Sequence, residues 1–240
     1  MGGVLLNLNA EEKDIEKLKE EIVDKGLSIS SYHAFSTATW REDSKWIKTE
    51  ANIFFDQEKG LRMEGTLILP RGKTLKHIFL ITKETYWEYA QAERKVKFVD
   101  LKKVREEIGE KLKNWNPARK FDLRNPFSFD GIQAKTVTFS GEGEVWDEPA
   151  YIFEAKFLSS LFLTQSPTLY SGKMWVSKKT GLIKKILLYS EKGEEICVQD
   201  YDPIIVGISI SPDKFTFSPP PEVEKVDLTE KWVSFFKNQP

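Results

Sequence analysis

The sequence predicts a mainly β protein (α+β): a single, strongly curved antiparallel sheet of about eleven strands, forming an unclosed half-barrel covered by two or three helices. Three observations predict it. Apolar and polar residues alternate with period two through two long runs, 32–99 and 133–201. A period near 3.6 occurs only ahead of these runs and between them. The regular strand–helix–strand alternation of a parallel sheet is missing.

The first helix is expected over 10–25, where Ile15, Leu18 and Ile22 share one face with Val23 beside them and Glu and Lys fill the rest. Asn9 stands at its N-cap with Glu12 at the capping-box spacing, and Gly26 suits a left-handed C-terminal position. A strand at 32–40 follows. In 45–56, Ile47, Thr49, Ala51, Ile53 and Phe55 take one face while Lys48, Glu50 and Asn52 take the other. Gly60 turns the chain into Leu61, Met63, Leu67 and Leu69, again alternating with polar neighbours. Strands at 76–82, 85–90 and 94–99 extend this meander past the turn Pro70-Arg71-Gly72-Lys73.

A second helix is expected over 101–113, capped by Asp100, with Leu101, Val104, Ile108 and Leu112 on one face. Strands resume at 133–139, 144–146, 151–157, 168–177, 182–190 and 194–201, with a shorter piece near Phe215. Residues 178–181 and 191–193 read as hairpin turns. Pro219-Pro220-Pro221 stops the last strand. The tail, 222–240, holds Trp232, Val233, Phe235 and Phe236 and is expected to form a short helix. The whole of 1–240 reads as a single domain, with 1–9 as a lead-in and no internal repeat.

Composition removes several functions. Lys and Arg number 36 against 37 Asp and Glu, so no whole-chain field attracts nucleic acid. Two histidines and one cysteine, His33, His77 and Cys197, cannot build a Cys/His zinc site, a CxxC pair or an intramolecular disulfide. No metal and no cofactor is expected. The apolar start, Val4 to Leu8, is too short for a membrane span.

No catalytic residues are expected either. Arg71-Gly72-Lys73-Thr74 has the ending of a phosphate loop, but Leu67 stands where its first glycine belongs, so it reads as a surface hairpin. Ser211-Pro212-Asp213-Lys214 matches a Ser-x-x-Lys pattern, but Pro212 and Asp213 favour a turn. Glu142, Glu144, Asp147 and Glu148 could offer oxygens to calcium, although a solvated loop fits better. His33 and His77 read as isolated sheet-face residues, and Cys197 as a small buried hydrophobe. Residues 94–124 carry a basic surplus that reads as a solvated helix surface.

What remains is an excess of large apolar side chains on strands. If the curved sheet does not close, its concave face and the helices above it enclose an elongated hydrophobic cleft. Strand parity places Ile47, Ile53, Phe55, Met63, Leu67, Leu69, Phe153, Phe157, Met174 and Val176 along that cleft. Ile15, Leu18, Ile22, Val104, Ile108 and Leu112 supply the helix faces above it.

The C-terminal half carries motifs: Gly172-Lys173-Met174-Trp175-Val176-Ser177, then Lys179-Thr180-Gly181-Leu182-Ile183-Lys184-Lys185, and finally Phe215-Thr216-Phe217 before Pro219-Pro220. In this order they resemble the outer-membrane lipoprotein-sorting and carrier family. The Thr180-Gly181 hairpin is the most specific of them. The resemblance implies an unclosed antiparallel barrel with lid helices over a hydrophobic cavity. It implies non-enzymatic binding of a lipid or lipoprotein acyl chain, or alternatively an envelope module that grips a peptide or membrane-protein segment. The implied partners are lipid or an envelope protein, not nucleic acid, bound by a monomer. The implied location is extracytoplasmic, periplasmic or cell-surface, with a leader absent from this sequence; a cytoplasmic location stays open. The family's Lys-Arg-Pro latch segment has no counterpart in Phe55-Asp56-Gln57-Glu58-Lys59-Gly60.

Overall fold

The computed structural model describes residues 4–42, 45–109, 122–128, 132, 136–158 and 169–238. Helix α1 spans Val4–Leu27. Strands β1 (Ser31–Glu42), β2 (Lys45–Asp56), β3 (Gly60–Ile68), β4 (Thr74–Ile81), β5 (Thr85–Ala90) and β6 (Lys95–Asp100) follow, and then helix α2 (Leu101–Ile108). Next come β7 (Thr138–Val145), β8 (Glu148–Leu158), β9 (Leu169–Ser177), β10 (Ile183–Tyr189), β11 (Glu195–Val206), β12 (Glu224–Asp227) and helix α3 (Thr229–Lys237). The strands form one unclosed sheet in the order β12-β6-β5-β4-β3-β2-β1-β11-β10-β9-β8-β7. The runs β1 to β6 and β7 to β11 pair antiparallel with their sequence neighbours, and β12 joins β6 in parallel.

The expected architecture is met, with twelve strands among the described residues instead of about eleven and with local corrections. The piece near Phe215 is a 3-10 turn, Pro212–Phe215, because Pro212 fixes a turn where alternation suggested a strand. The twelfth strand is four residues long, too short for periodicity to reveal. Asn9 lies inside α1 and is not its cap. Asp100 does cap α2, accepting the Lys103 N–H, but α2 ends at Ile108 ahead of Gly109 at φ 58°; Leu112 lies outside the described residues. The pieces expected at 133–139 and 144–146 belong to one strand, β7, with 133–135 outside the described residues. Its turn to β8 places Trp146 and Asp147 at φ 52° and 57°, the left-handed pair of a two-residue hairpin turn, without the Asn-Gly signature that announces one.

The chain falls into two compact units. The first combines Met1–Ile29 with Asp122–Asp200. Here the last turns of α1 pack against the β9–β10 turn. A Cβ on Gly181, which has φ 72°, would lie 2.5 Å from the Ile22 carbonyl oxygen. The Lys25 ammonium donates to the Lys178 carbonyl at 2.6 Å. Gly26 is a glycine because a Cβ there would meet the Arg124 carbonyl oxygen at 2.1 Å; it has no left-handed φ to satisfy. Beside it the Arg124 guanidinium grips Asp122 through two bonds, Nε to Oδ1 at 2.9 Å and Nη2 to Oδ2 at 2.8 Å.

The second unit combines Ser30–Phe121 with Tyr201–Pro240. Helices α2 and α3 pack on each other beside β5 and β6. Lys103–Glu230 and Lys237–Glu107 pair between them, and the Asp100 N–H donates to Thr229 Oγ1 at 2.9 Å. Leu101, Val104 and Ile108 are the buried stripe of α2. The opposite side of this sheet is closed by 208–217, where Ile210 and Phe215 cover Leu80 and are packed by Phe54, Trp87, Ile208 and Phe217.

Candidate functional site

Directly opposed residues of antiparallel strands point to the same side of a sheet, so the pairing register of β1 to β6 orders one face of the second unit into rows. The first row runs Tyr32, Phe55, Leu61, Ile81, Tyr86, Val99. The second runs Ala34, Ile53, Met63, Phe79, Glu88, Lys97. The third runs Ser36, Ala51, Gly65, His77, Ala90, Lys95, and the fourth Ala38, Thr49, Leu67, Leu75.

Burial falls along this order on β2 to β4, whereas β1 stays buried through Ser36 and Ala38, 4% and 5% exposed. Tyr32, Phe55, Leu61, Ile81 and Val99 are buried, and Trp232 of α3 lies against Tyr86 with ring centroids 5.1 Å apart. Met63, Ala51, Gly65, Thr49, Leu67, Leu69 and Leu75 are only partly covered. The middle of this open half is floored by small groups. A Cβ on Gly65 would find no atom nearer than 3.6 Å, and no positive φ demands glycine there. Glycine inside a strand costs about 0.5–1 kcal/mol against alanine, so this one leaves room at the expense of stability.

The sequence-derived residues therefore divide. Ile47, Ile53 and Phe55 are core, whereas Met63, Leu67 and Leu69 stand on the half-open face. Phe153, Phe157, Met174 and Val176 belong to the first unit and are each 0% exposed. Their neighbour Gly172 shows how tightly that region is filled: a Cβ there would lie 2.6 Å from the Leu187 carbonyl oxygen and 2.8 Å from Phe157. On the helices Ile15 and Leu18 are half-buried, and Ile22, Val104 and Ile108 are buried.

One group escaped the sequence reading. Across β4, β5 and β6, Glu88 gathers three partners: Tyr86 donates its phenol O–H at 2.7 Å, the Lys97 ammonium donates at 3.2 Å, and His77 Nε2 lies 3.6 Å away. His77, then Tyr86 and Lys97, outweigh burial and hold the Glu88 carboxyl down at about 2. Burial and then the Glu88 charge push the Tyr86 phenol above its ordinary range. Strand parity alone could have placed His77, Glu88 and Lys97 on the apolar face, but only the pairing register brings them together.

The motifs set aside stay set aside. Pro70–Gly72 is an exposed 3-10 turn between β3 and β4, and the Lys214 N–H closes a turn on the Ser211 carbonyl at 3.0 Å. Glu142 pairs with Lys178 at 2.5 Å and Glu148 with Lys184 at 3.4 Å, so cations already hold these carboxylates; they lie in the β7–β8 hairpin, not in a loop. His33 stacks on Phe54 at 4.6 Å and bonds Asn52 at 2.9 Å. Burial pushes the Cys197 thiol up to about 12. Among the described residues no three His, Cys, Asp or Glu side chains converge as a metal site, and no helix is long and apolar enough to cross a membrane.

The sequence matches no family profile and no curated protein. Solved structures do match. An uncharacterized conserved protein of Thermus thermophilus shares the fold at 12% identity and a TM-score of 0.53, over 88% of this chain and 98% of that one. The MucA/MucB complex of Pseudomonas aeruginosa is similar at 15% identity and a TM-score of 0.46, over 89% of this chain and 63% of that one. A lipoprotein-sorting protein domain of Vibrio parahaemolyticus is similar at 10% identity and a TM-score of 0.38, over 83% of this chain and 95% of that one.

Proposed function

We propose that this protein is a non-enzymatic, extracytoplasmic binder of a lipid or lipoprotein acyl chain, and that the chain lies on the half-open face of the second unit. The observation that carries the reading is the floor at Gly65. Space for a Cβ is left unused there, with Ala51 beside it and the partly covered side chains of Met63, Leu67, Leu69 and Leu75 around it. Each methylene removed from water on such a surface contributes about 0.8 kcal/mol, so a chain of modest length offsets the loss of its own freedom. The filled interior around Phe153, Phe157, Met174 and Val176 is assigned to stability, not to the guest.

Native mass spectrometry of gently purified protein should show bound lipid, and a fluorescent fatty acid should titrate to saturation. Gly65→Leu should fill the floor and weaken that titration about tenfold, with the melting temperature held or raised. Absence of both endogenous and added lipid would sink the reading. Competition of an apolar peptide with the fatty acid would move it to the gripping of a protein segment.

A further inference from the structure

We propose that the first unit carries a carbohydrate site, where the pyranose rings of a neutral glycan stack on Trp146 and Trp175 and their oxygens accept hydrogen bonds from the Lys185 ammonium. The site is independent of the acyl-chain reading and uses other residues. The exposed indole of Trp146 carries it. Tryptophan suits the β7–β8 turn badly: a bulky side chain at φ 52° strains the backbone by about 1–3 kcal/mol, where Asn or Gly would not. No burial offsets that strain, since Trp146 is 52% exposed. A large apolar side chain held out in water on a strained turn is explained by a ligand better than by the stability of the fold.

Its surroundings define the ligand. Trp175 of β9 lies directly opposite Ile152 of β8 on one side and Lys185 of β10 on the other, and Lys185 lies opposite Asp200 of β11. These four share the face turned away from the buried Met174 and Val176. The Lys185 ammonium stands 5.8 Å from the centres of both the Trp146 and the Trp175 rings, so two indoles gather around one cation. Its ion partner is Asp200, whose buried Oδ1 lies 3.7 Å away, beyond hydrogen-bond reach. Among the described residues, nothing accepts a hydrogen bond from the Lys185 ammonium or from either indole N–H. An alkyl chain laid here would cover these donors unpaired, at about 1–3 kcal/mol each. A cationic head meets a position that Lys185 already holds. An anion gains little, because Asp200 already offsets the ammonium charge. A sugar ring fits: its C–H faces pack on the indoles, and its hydroxyl and ring oxygens accept from the ammonium and the indole N–H groups.

The test titrates chitohexaose, cellohexaose, maltohexaose and mannohexaose into the full chain by calorimetry, and at least one of them should bind. Trp146→Asn, which places in the turn a residue that favours its conformation, should weaken that binding about tenfold while the melting temperature holds or rises. Trp146→Phe keeps an aromatic face and should retain part of the affinity, and Lys185→Met, which keeps the stem without the donors, should lose part of it. The fatty-acid titration should be the same in all three variants. The site is overturned if none of the four oligosaccharides binds, if binding survives Trp146→Asn undiminished, or if Trp146→Asn lowers the melting temperature, which makes the indole a part of the fold. None of these results touches the acyl-chain reading, and a protein that binds oligosaccharide but no lipid keeps this site while losing that reading.

Discussion

Glu88 is the clearest case of a side chain whose meaning comes from its partners. A carboxylate on an apolar sheet face is expensive to desolvate, and it persists because His77, Tyr86 and Lys97 surround it. Its carboxyl is held at about 2 in the folded protein, below the ordinary value of 4.5, so the cluster's stabilisation is complete above the ordinary value and drains away as pH falls toward 2. Glu88→Gln should therefore cost about 1–3 kcal/mol near neutrality by urea unfolding and flatten the loss of stability between those two pH limits. Cys197 makes the opposite case, a titratable group that does nothing: 2% exposed and pushed up to about 12, it should resist iodoacetamide in the folded protein and react once urea opens it. Its burial was legible in the sequence because Ile196 and Val198 flank it on a strand. The Glu88 cluster was not, since its members sit on three strands and their meeting depends on pairing register, which side-chain alternation leaves undetermined.

Strands read well from the sequence wherever one side is wet and the other greasy, because a period of two is a local property; the limits expected for β2 and β5 are those observed. Helix ends read less well. Gly26 carried the composition of a left-handed cap, yet its lack of a side chain serves the close approach of Arg124, a distant part of the chain. The docking of α1 on the β9–β10 turn shows what such a glycine is worth. Gly181→Ala would strain a residue at φ 72° and drive a Cβ into the Ile22 carbonyl and the Gly26 N–H group, 2.5 and 2.9 Å away. The expected loss is about 2 kcal/mol or more in urea unfolding, with faster hydrogen exchange concentrated in the last turns of α1. Gly193→Ala, in the β10–β11 turn at φ 80° with nothing within 4 Å, carries the backbone strain without the collision and should cost less.

Both compact units are assembled from segments far apart in the chain: the first takes its helix from the N-terminus, and the second takes its closing segment from the C-terminus. No periodicity can announce this, because it is a matter of which stretches meet, and the resemblance carried by the Thr180-Gly181 hairpin reaches the architecture only in outline. In the second unit the consequence is physical. The row His33, Phe54, Arg62, Leu80, Trp87, Phe98 faces away from the proposed guest and would be wet without 208–217. Arg62 fastens that segment: its Nη1 donates to the carbonyls of Thr216 at 2.7 Å and Lys214 at 3.2 Å, while Nε donates to Glu64 at 2.7 Å. The Lys214 ammonium in turn lies 4.5 Å from the centre of the Phe54 ring, and Phe217 packs on Trp87 at 5.6 Å. A buried guanidinium with two carbonyl acceptors and a carboxylate is more costly to lose than an apolar contact, because Arg62→Met leaves those acceptors unpaired. That variant should lose about 2–4 kcal/mol, and its tryptophan emission should shift to the red as Trp87 meets water. Ending the chain at residue 207, which removes β12 and α3 together with 208–217, should go further, giving strong binding of a hydrophobic dye at the uncovered row and loss of cooperative unfolding. If the shortened chain keeps a sharp transition and an unshifted Trp87, then 208–217, β12 and α3 are all ornaments and the second unit is held by β1 to β6 and α2 without them.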